Sequence, residues 1–389
     1  MQALYDLSPL ALLMFGGVAL ALLPLAWVWY QHRRATPLRR QRALTLLTLF
    51  LTFDLVMFGA FTRLTDSGLG CPDWPGCYGK ASPIGAGADI AAAQNTLPSG
   101  PVTHGKAWVE MIHRYLATSV GVLVLVLTAT SWVGATSGGE REQKTPRHTL
   151  GRWWPTLTLV WICVQGAFGA LTVTMKLFPA IVTLHLLGGL MLLALLCVQV
   201  VRSAQLEGLS GPAVVDPGLR WLTGLTFALL ALQLALGGWV SANYAVLACT
   251  DFPLCQNRWW PVMDFEQGFE LWRELGLTAA GQPINFAALT AIHYVHRLAA
   301  WIVLLALAVL AWRLNRVAGL RAQSRWIAAL IGLQLATGLG NVVFEWPLLV
   351  AVLHTGGAGA LVIVMTWVLA SSRTRASVAP DLSAWRRPA

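Results

Sequence analysis

Charged residues are scarce in this chain. Only 11% of its 389 residues are Asp, Glu, Lys or Arg, whereas 56% are hydrophobic. A soluble fold has too little interior to bury so much apolar side chain, which excludes that class of protein. Runs of about 20 apolar residues are instead typical of helices that cross a bilayer.

The apolar runs predict nine transmembrane helices. A helix pairs its backbone polar groups internally, as hydrocarbon requires, so runs of this length favour helices over any other structure. The sequence therefore predicts an all-α integral membrane protein. The predicted spans are 8–30, 43–63, 107–134, 152–174, 179–201, 219–240, 286–312, 325–343 and 349–371.

Acidic residues number 17 against 27 basic residues, but the basic residues are not arranged as in a nucleic-acid-binding protein. Nineteen of them lie in alternate connections and in the C-terminal tail, which the positive-inside rule assigns to the cytoplasm. The connections 64–106 and 241–285 contain few bases and are expected on the outer side. The basic segments are 31–42, 135–152, 202–220, 313–325 and 372–389.

The first apolar segment lacks the basic flank that precedes the apolar core of a signal peptide. Its apolar run is also long, and four arginines follow it, as they would follow a retained span: Arg33, Arg34, Arg39 and Arg40. We therefore expect segment 8–30 to remain as a helix. With nine spans and a cytoplasmic C-terminus, the N-terminus lies outside.

Two halves of the chain repeat the same three motifs in the same order. Residues 71–77 read C-P-D-W-P-G-C and residues 249–255 read C-T-D-F-P-L-C. A His-Arg pair follows in each half, and a glutamine then precedes a second histidine by twenty residues. The repeat predicts two pseudo-symmetric four-helix bundles in parallel orientation, with one extra helix before them.

The repeat also sets the domain boundaries. We expect an extra helix with a basic cytoplasmic loop at 1–42, a first four-helix half at 43–203 and a cytoplasmic linker at 204–218. The second four-helix half spans 219–371, and a cytoplasmic tail covers 372–389.

Four histidines lie at one depth in these predicted bundles. His113 and His185 belong to the first half, and His296 and His354 to the second, each roughly 10–15 Å below the outer surface at the rise of a helix. A histidine within a span is costly unless it has a function. Two facing imidazoles per half fit axial ligands of a haem iron. A zinc or copper site is less favoured, since no third nitrogen or carboxylate converges in either half.

Three further residues near these histidines are candidate functional groups. Glu110 precedes His113 by three residues, and His293 takes the corresponding place before His296. This difference predicts one reaction centre and one electron-carrying centre, with Glu110 employed in chemistry unless it is anchored to a base. Arg297, next to His296, can grip a haem propionate or extend to the headgroups.

Four of the six cysteines lie in the two outer loops. Cys71 with Cys77 and Cys249 with Cys255 are expected to form disulfides, because the outer compartment is oxidising. A structural staple is the simpler interpretation of both pairs. A redox role for Cys71 and Cys77 stays open, because they lie in the same half as Glu110.

The motifs together resemble the haem A synthase family over about residues 43–371. The matching segments are F-G-A-F-T-R-L-T-D-S-G-L-G-C-P-D-W-P-G-C (58–77), E-M-I-H-R (110–114) and Q-G-A-F-G-A-L-T-V-T-M-K-L-F-P-A-I-V-T-L-H (165–185). Members of this family are eight-helix inner-membrane proteins that oxidise the C8 methyl group of haem O to the formyl group of haem A. The extra helix at 8–30 and His293 depart from the family pattern.

The resemblance implies a role for each half. His113 and His185 would lie at the iron of the substrate, haem O, with Glu110 needed for turnover, either relaying protons or assisting loss of water from a geminal diol. His296 and His354 would bind a permanent haem b. Cys71 and Cys77 are implicated in activity in members that have them. Both sites would lie near the periplasmic side of a bacterial inner membrane.

The implied partners are haem O, membrane lipid, the enzyme that makes haem O and cytochrome oxidase assembly factors, with no nucleic acid; a homo-oligomer stays open. Two other functions compete. A di-haem b-type electron-transfer cytochrome would bind both haems without altering either. A transporter built from parallel repeats would bind no haem and would break its helices in mid-membrane.

Overall fold

The computed structural model describes residues 8–136 and 151–374 of the chain. Within these residues, nine helices are long and apolar enough to cross a membrane, which confirms the predicted number of spans. Most of the basic segment 135–152 and of the tail 372–389 lies outside the described residues.

Two long loops, 65–103 and 243–285, interrupt the succession of spanning helices. The helices are α1 (Ser8–Gln31), α2 (Pro37–Leu64), α3 (Gly87–Thr96), α4 (His104–Thr136), α5 (Trp153–Thr174), α6 (Pro179–Leu206), α7 (Pro217–Ala242), α8 (Phe265–Gly268), α9 (Phe286–Leu314), α10 (Arg321–Val343) and α11 (Leu348–Ser371). Connections of four or five residues join α1 to α2, α5 to α6 and α10 to α11. Two strands, β1 (Ala213–Val215) and β2 (Ser372–Thr374), pair in parallel.

Local sequence fixes where several helices begin. The Thr36 hydroxyl accepts a hydrogen bond from the Arg39 N–H at 3.3 Å, and Pro37 opens α2. The Asp216 carboxylate accepts from the Leu219 N–H at 2.8 Å in the same way at α7. A polar cap and a proline in the first turn satisfy or remove free N–H groups, so these helices begin at defined residues.

Each half of the chain packs in the same pattern. In the first half, α2 and α5 each pack against both α4 and α6. In the second half, α7 and α10 each pack against both α9 and α11. The halves meet where α6 contacts α7 and α11, and where α2 contacts α11, so α2, α6, α7 and α11 form the centre of the molecule.

The helix α1 packs along α4 at the edge of the first half. It buries one narrow stripe, while large apolar side chains such as Phe15, Leu23 and Trp27 are exposed on its other faces. The buried stripe consists of Pro9, Leu13, Gly17, Ala21 and Val28. A stripe at this spacing is one face of a helix, and small residues there permit close approach to a neighbour.

Two helices extend beyond their predicted spans. The α2 helix begins at Pro37, inside the region predicted as a cytoplasmic loop, and α6 continues to Leu206, inside the predicted linker 204–218. The β1 strand in that linker pairs with β2, which follows α11 at the start of the predicted tail. The structure thus adds one small sheet to the predicted all-α fold, and its strands lie directly before and after the second half.

Candidate functional site

One cavity of roughly 880 Å³ runs between the helices of both halves. The four predicted ligand histidines all line it: His113, His185, His296 and His354. Glu110, His293 and Arg297 line it as well. A mostly apolar cavity with a few convergent polar groups is typical of a cofactor or substrate site. The structure therefore brings together the histidines that the sequence singled out.

In the first half, each histidine faces a glycine on a neighbouring helix. A Cβ atom placed on Gly59 of α2 would lie 3.0 Å from Cε1 of His113, and one on Gly169 of α5 would lie 3.4 Å from Cε1 of His185. A larger residue at Gly59 would therefore crowd the ring of His113.

The second half repeats this arrangement. A Cβ atom on Gly237 of α7 would lie 3.0 Å from Cε1 of His296, and one on Gly338 of α10 would lie 3.4 Å from Cε1 of His354. Gly59 and Gly237 were not singled out from the sequence, although each precedes the first cysteine of its loop by twelve residues.

The imidazoles of the second half have polar partners at Nδ1. The Thr337 hydroxyl lies 2.9 Å from Nδ1 of His354 and donates its own proton to the Leu333 carbonyl at 2.7 Å, so it accepts from the ring. Gln233 Nε2 lies 3.1 Å from Nδ1 of His296 and donates to the His296 carbonyl at the same distance. Such contacts fix the orientation of a ligand ring.

The imidazoles of the first half lack such partners. Nδ1 of His113 and Nδ1 of His185 are buried and have no hydrogen-bond partner in residues 8–136 and 151–374. In the repeat, Leu55 stands where the second half has Gln233, and Phe168 stands where it has Thr337. The two histidine pairs therefore share a position but not a polar environment.

Glu110 is tied to the first disulfide loop. Its Oε2 accepts from the Cys71 N–H at 2.7 Å, and its Oε1 accepts from Arg114, four residues along α4. Arg114 in turn donates to the carbonyls of Pro75 and Gly76, at 3.1 and 2.5 Å. Glu110 is 4% exposed and lines the cavity, so it is anchored to a base while facing the site.

Arg297 holds the second disulfide loop in a similar way. Its Nη2 donates to the carbonyls of Asp251 and Leu254, at 3.0 and 3.1 Å, while its Nη1 is buried without a partner among the described residues. His293 is 5% exposed and faces the cavity, and its Nδ1 also lacks a partner in the described chain. We expected Arg297 to contact a headgroup or a propionate. Its hydrogen bonds to the carbonyls of Asp251 and Leu254 were not predicted.

Both outer loops contain the disulfide expected from their spacing. Cys71 pairs with Cys77, and Cys249 with Cys255. The aspartate of the repeated motif closes each loop, as in the first half, where Asp73 accepts from the N–H groups of Tyr78 and Gly79 at 2.6 and 2.7 Å. This role of the aspartate was not predicted. The presence of an aspartate at the same position of both motifs could have indicated it.

The halves are linked at the outer end of the cavity. Arg63, one turn beyond Gly59 on α2, donates to the Ser241 carbonyl on α7 at 2.6 Å and lies 3.9 Å from the ring centre of Tyr244. The Tyr244 hydroxyl donates to Asp66 at 2.8 Å. Arg63 also lies 3.4 Å from Asp66, so one side chain pairs within its own half and joins that half to the other.

The donor set suits a porphyrin better than a bare metal ion. Within the two described ranges, no three residues among His, Cys, Asp and Glu come close enough together to hold an ion. A porphyrin supplies four nitrogens to its iron, so the two imidazoles of each half could hold one without a third protein ligand.

Comparisons with known proteins identify the family of this chain. A family model described as COX15-CtaA, cytochrome oxidase assembly protein, matches residues 42–366. A protein of Shewanella oneidensis named Heme A synthase is 36% identical over 335 residues, which cover 85% of this chain and 97% of that protein. Proteins of the same name from Halalkalibacterium halodurans and Erythrobacter litoralis are 26% and 28% identical, over 77% and 82% of this chain and 86% and 92% of their own lengths. The resemblance found in the motifs is thereby confirmed, and the chain belongs to the COX15-CtaA family of cytochrome oxidase assembly proteins.

Proposed function

We propose that this protein is a haem A synthase, a multi-pass inner-membrane oxidoreductase. It oxidises the C8 methyl group of haem O to a formyl group and so makes haem A for cytochrome oxidase. The observation that carries the proposal is the cavity lined by two pairs of histidines in a chain whose relatives are named Heme A synthase.

Haem O occupies the first half in this proposal, between His113 and His185. Their unpartnered Nδ1 atoms and their apolar surroundings support a site that holds its porphyrin less rigidly, as a substrate that must leave requires. A substrate with a long apolar substituent also suits a cavity that opens between membrane helices.

A permanent haem b occupies the second half, between His296 and His354. The contact from His354 Nδ1–H to Thr337 supports this assignment, because it leaves Nε2 of the ring free to bind iron. At His296 the amide nitrogen of Gln233 lies at Nδ1, so the same tautomer requires the Gln233 amide to turn and present its buried, unpartnered Oε1. The unpartnered Nη1 of Arg297 is then available to a propionate.

The iron porphyrins supply the redox chemistry of the reaction when they are bound. The chain contributes position and electrostatics. The imidazoles hold each macrocycle, apolar helix faces keep water out, and Glu110 presents a carboxylate to the cavity beside His113. Two successive hydroxylations of the methyl group, each consuming oxygen derived from O2 together with electrons from a donor, would give a geminal diol, which must lose water to become the formyl group. We assign the accompanying proton movements to the Glu110 carboxylate, which Arg114 and the Cys71 N–H hold in place.

We further infer that the two halves are related by pseudo-symmetry and have the domain boundaries given by the repeat. The helix contacts within the two halves match, which supports this inference. Between the halves, the contact of α6 with α7 has its equivalent in the contact of α11 with α2, as a pseudo-twofold relation requires. The distribution of basic residues supports a cytoplasmic C-terminus and haem sites near the periplasmic side. The enzyme that supplies haem O and oxidase assembly factors are the expected partners, and association with a second copy stays open.

Haem extraction tests the proposed function. The chain is produced in a host that makes haem O but no haem A, and extracted haems are identified by mass. We expect the formyl-bearing haem to appear only when the chain is present. If the chain binds haem but haem O stays unaltered, an electron-transfer cytochrome is the better assignment. If the well-folded chain binds no haem, a transporter is the better assignment.

A further inference from the structure

The helix α1 lies outside the region that the family model matches, which begins at residue 42. It is nevertheless packed against α4, the helix that carries Glu110, His113 and Arg114. Its position relative to the first-half site therefore bears on how that site works in this chain.

Two adjacent glycines bring α1 close to α4. A Cβ atom on Gly17 would lie 2.4 Å from the Cγ2 atom and 3.1 Å from the backbone carbon of Thr118, so only glycine fits without displacing one helix. A Cβ atom on Gly16 would lie 3.6 Å from the ring of Tyr115, which is ordinary contact. Such a close approach of backbones stabilises helix pairs in membranes by van der Waals packing.

The outer end of α1 covers the first disulfide loop. Leu13 belongs to a buried cluster that contains Cys71, Cys77 and Met111, and all three of these are fully buried. A Cβ atom on Gly76, inside the loop, would lie 3.1 Å from Cβ of Pro9. One end of α1 thus packs on the same loop that Glu110 and Arg114 hold from the other side.

The same part of α1 borders the cavity. Leu13 and Met14 line it together with Glu110, His113 and Thr118. Leu13 is 5% exposed, whereas its neighbour Leu12 is 56% exposed on the outer surface of the helix. The α1 helix therefore presents one apolar face to the site and another to the surroundings.

Within the described parts of the chain, the second half has no counterpart of α1. Its disulfide, Cys249–Cys255, is also fully buried, but it packs with Tyr294 of α9 and Met263 of its own loop. The cover over the second disulfide is therefore built from the half itself, whereas the first disulfide depends on a helix added in front of the repeat.

We propose that α1 is a lid on the first-half site that seals the Cys71–Cys77 disulfide from water-soluble reductants and closes the side of the cavity beside Glu110. The sealing of the disulfide is independent of the proposed function, and the closure of a substrate cavity rests on it. Attack on a disulfide requires direct access to one sulfur, so an apolar cover slows reduction without altering the bond.

Reduction by a water-soluble phosphine tests the lid. The purified full chain in lipid nanodiscs is first alkylated to block Cys163 and Cys197, then treated with the phosphine and alkylated with a heavy reagent. The phosphine donates two electrons, the S–S bond breaks into two thiols, and the phosphine becomes its oxide with oxygen from water. Mass spectrometry reads the two loops separately, so Cys249–Cys255 serves as an internal control.

Gly17→Leu forces α1 away from Thr118, and we expect it to speed reduction of Cys71–Cys77 at least about tenfold while Cys249–Cys255 is unchanged. Gly332→Leu is the matched control, because Gly332 is an exposed helix glycine with nothing within 4 Å of a Cβ atom. Two milder variants repeat the test. Leu13→Ala removes a buried side chain beside the disulfide and is expected to speed reduction of Cys71–Cys77, whereas Leu12→Ala changes an exposed side chain and is expected to have no effect.

Equal reduction rates of Cys71–Cys77 in the wild type, Gly17→Leu and Leu13→Ala would overturn the lid. If Gly17→Leu does not fold, the Leu13 and Leu12 pair decides alone. The readout needs neither bound haem nor turnover. A failure to make haem A with a protected disulfide would therefore count against the proposed function and not against the lid.

Discussion

The two histidine pairs differ in the residues around them more than in their own geometry. All four imidazoles face a helix glycine, with Cβ distances of 3.0 Å in one position of each half and 3.4 Å in the other. The polar surroundings differ at three matched positions. These are Glu110 against His293, Leu55 against Gln233 and Phe168 against Thr337. In the proposed function, the division into a reacting site and an electron-carrying site therefore rests on these few side chains.

Glu110→Gln tests the carboxylate of the first site. The amide can still accept from the Cys71 N–H, but it loses the negative charge that pairs with Arg114. We expect haem A formation to fall by roughly 10²–10⁴-fold, the contribution usual for proton transfer by a positioned group, while haem b is retained. Conversion in vesicles supplied with haem O measures the effect.

Glu207→Gln is the control for that variant, because Glu207 pairs with Arg42 at the other end of α2 and α6. Wild-type conversion by Glu110→Gln would show that the carboxylate only anchors the loop. An intact Cys71–Cys77 disulfide in the variant is needed to separate lost chemistry from lost structure.

Thr337→Val tests the fixed orientation of His354. Valine matches the shape of threonine but offers no acceptor to Nδ1–H. Loss of such a partner lowers metal affinity by about 10–100-fold, so we expect faster loss of haem b to a haem-accepting apoprotein. Thr130→Val, which removes an exposed hydroxyl bonded to its own helix, should leave the rate unchanged. Equal rates in both variants would refute this role of Thr337.

The histidines were predictable from sequence, because an imidazole inside an apolar run stands out and the repeat pairs it with another. Their Nδ1 partners were not. Gln233 and Thr337 lie on helices α7 and α10, opposite the rings they contact, and nothing near either histidine in sequence points to them. Likewise, the sequence left open whether Glu110 was anchored or reactive, and the structure shows that it is anchored and also faces the cavity.

At the scale of elements, the two disulfide loops share one construction. In the second loop, the Asp251 carboxylate accepts from the N–H groups of Gln256 and Asn257, both at 2.8 Å, as Asp73 does in the first. Burial is the largest single influence on the pKa of Asp251 and raises it, but the backbone hydrogen bonds and the charge of Arg297 together outweigh burial and hold the pKa below its ordinary value. The loop is thus stabilised by the ionised form.

The pH dependence of the second loop follows from that shift. A depressed carboxyl pKa contributes stability above the pKa of the unfolded chain, and the contribution is lost as pH falls through the folded value, which lies below 3.8. We expect Asp251→Asn to lower the unfolding temperature by a few degrees at neutral pH and to match the wild type at the acid end. Thermal unfolding in detergent measures both.

Glu274→Gln, an exposed change in the same outer loop, is the control for Asp251→Asn. A difference between Asp251→Asn and the wild type that persists unchanged below the folded pKa would contradict the assignment of the effect to the carboxylate.

The number of spanning helices was predictable because each needs a long apolar run, which the order of residues reveals directly. The ends of the helices were harder to predict. The α2 helix extends through a run of arginines to the cap at Thr36, since helix geometry continues beyond the apolar core. The pairing of Ala213–Val215 with Ser372–Thr374 depends on contact between distant segments, which no local pattern announces.

At the scale of the whole molecule, one cavity connects the two histidine pairs across the centre formed by α2, α6, α7 and α11. The contact of Arg63 with the Ser241 carbonyl joins α2 to α7 in this centre. In the proposed function, electrons would pass between two sites that line the same cavity. The shared cavity is therefore consistent with one site that supplies electrons and one that uses them.

The haem content of single histidine variants tests this division most directly. Each of His113, His185, His296 and His354 is changed to alanine, the protein is purified from a host that makes haem O, and bound and released haems are identified by mass. We predict that His296→Ala and His354→Ala lose haem b, whereas His113→Ala and His185→Ala keep it and make no haem A. Loss of haem b from all four variants alike, or haem A from the first-half variants, would contradict the account.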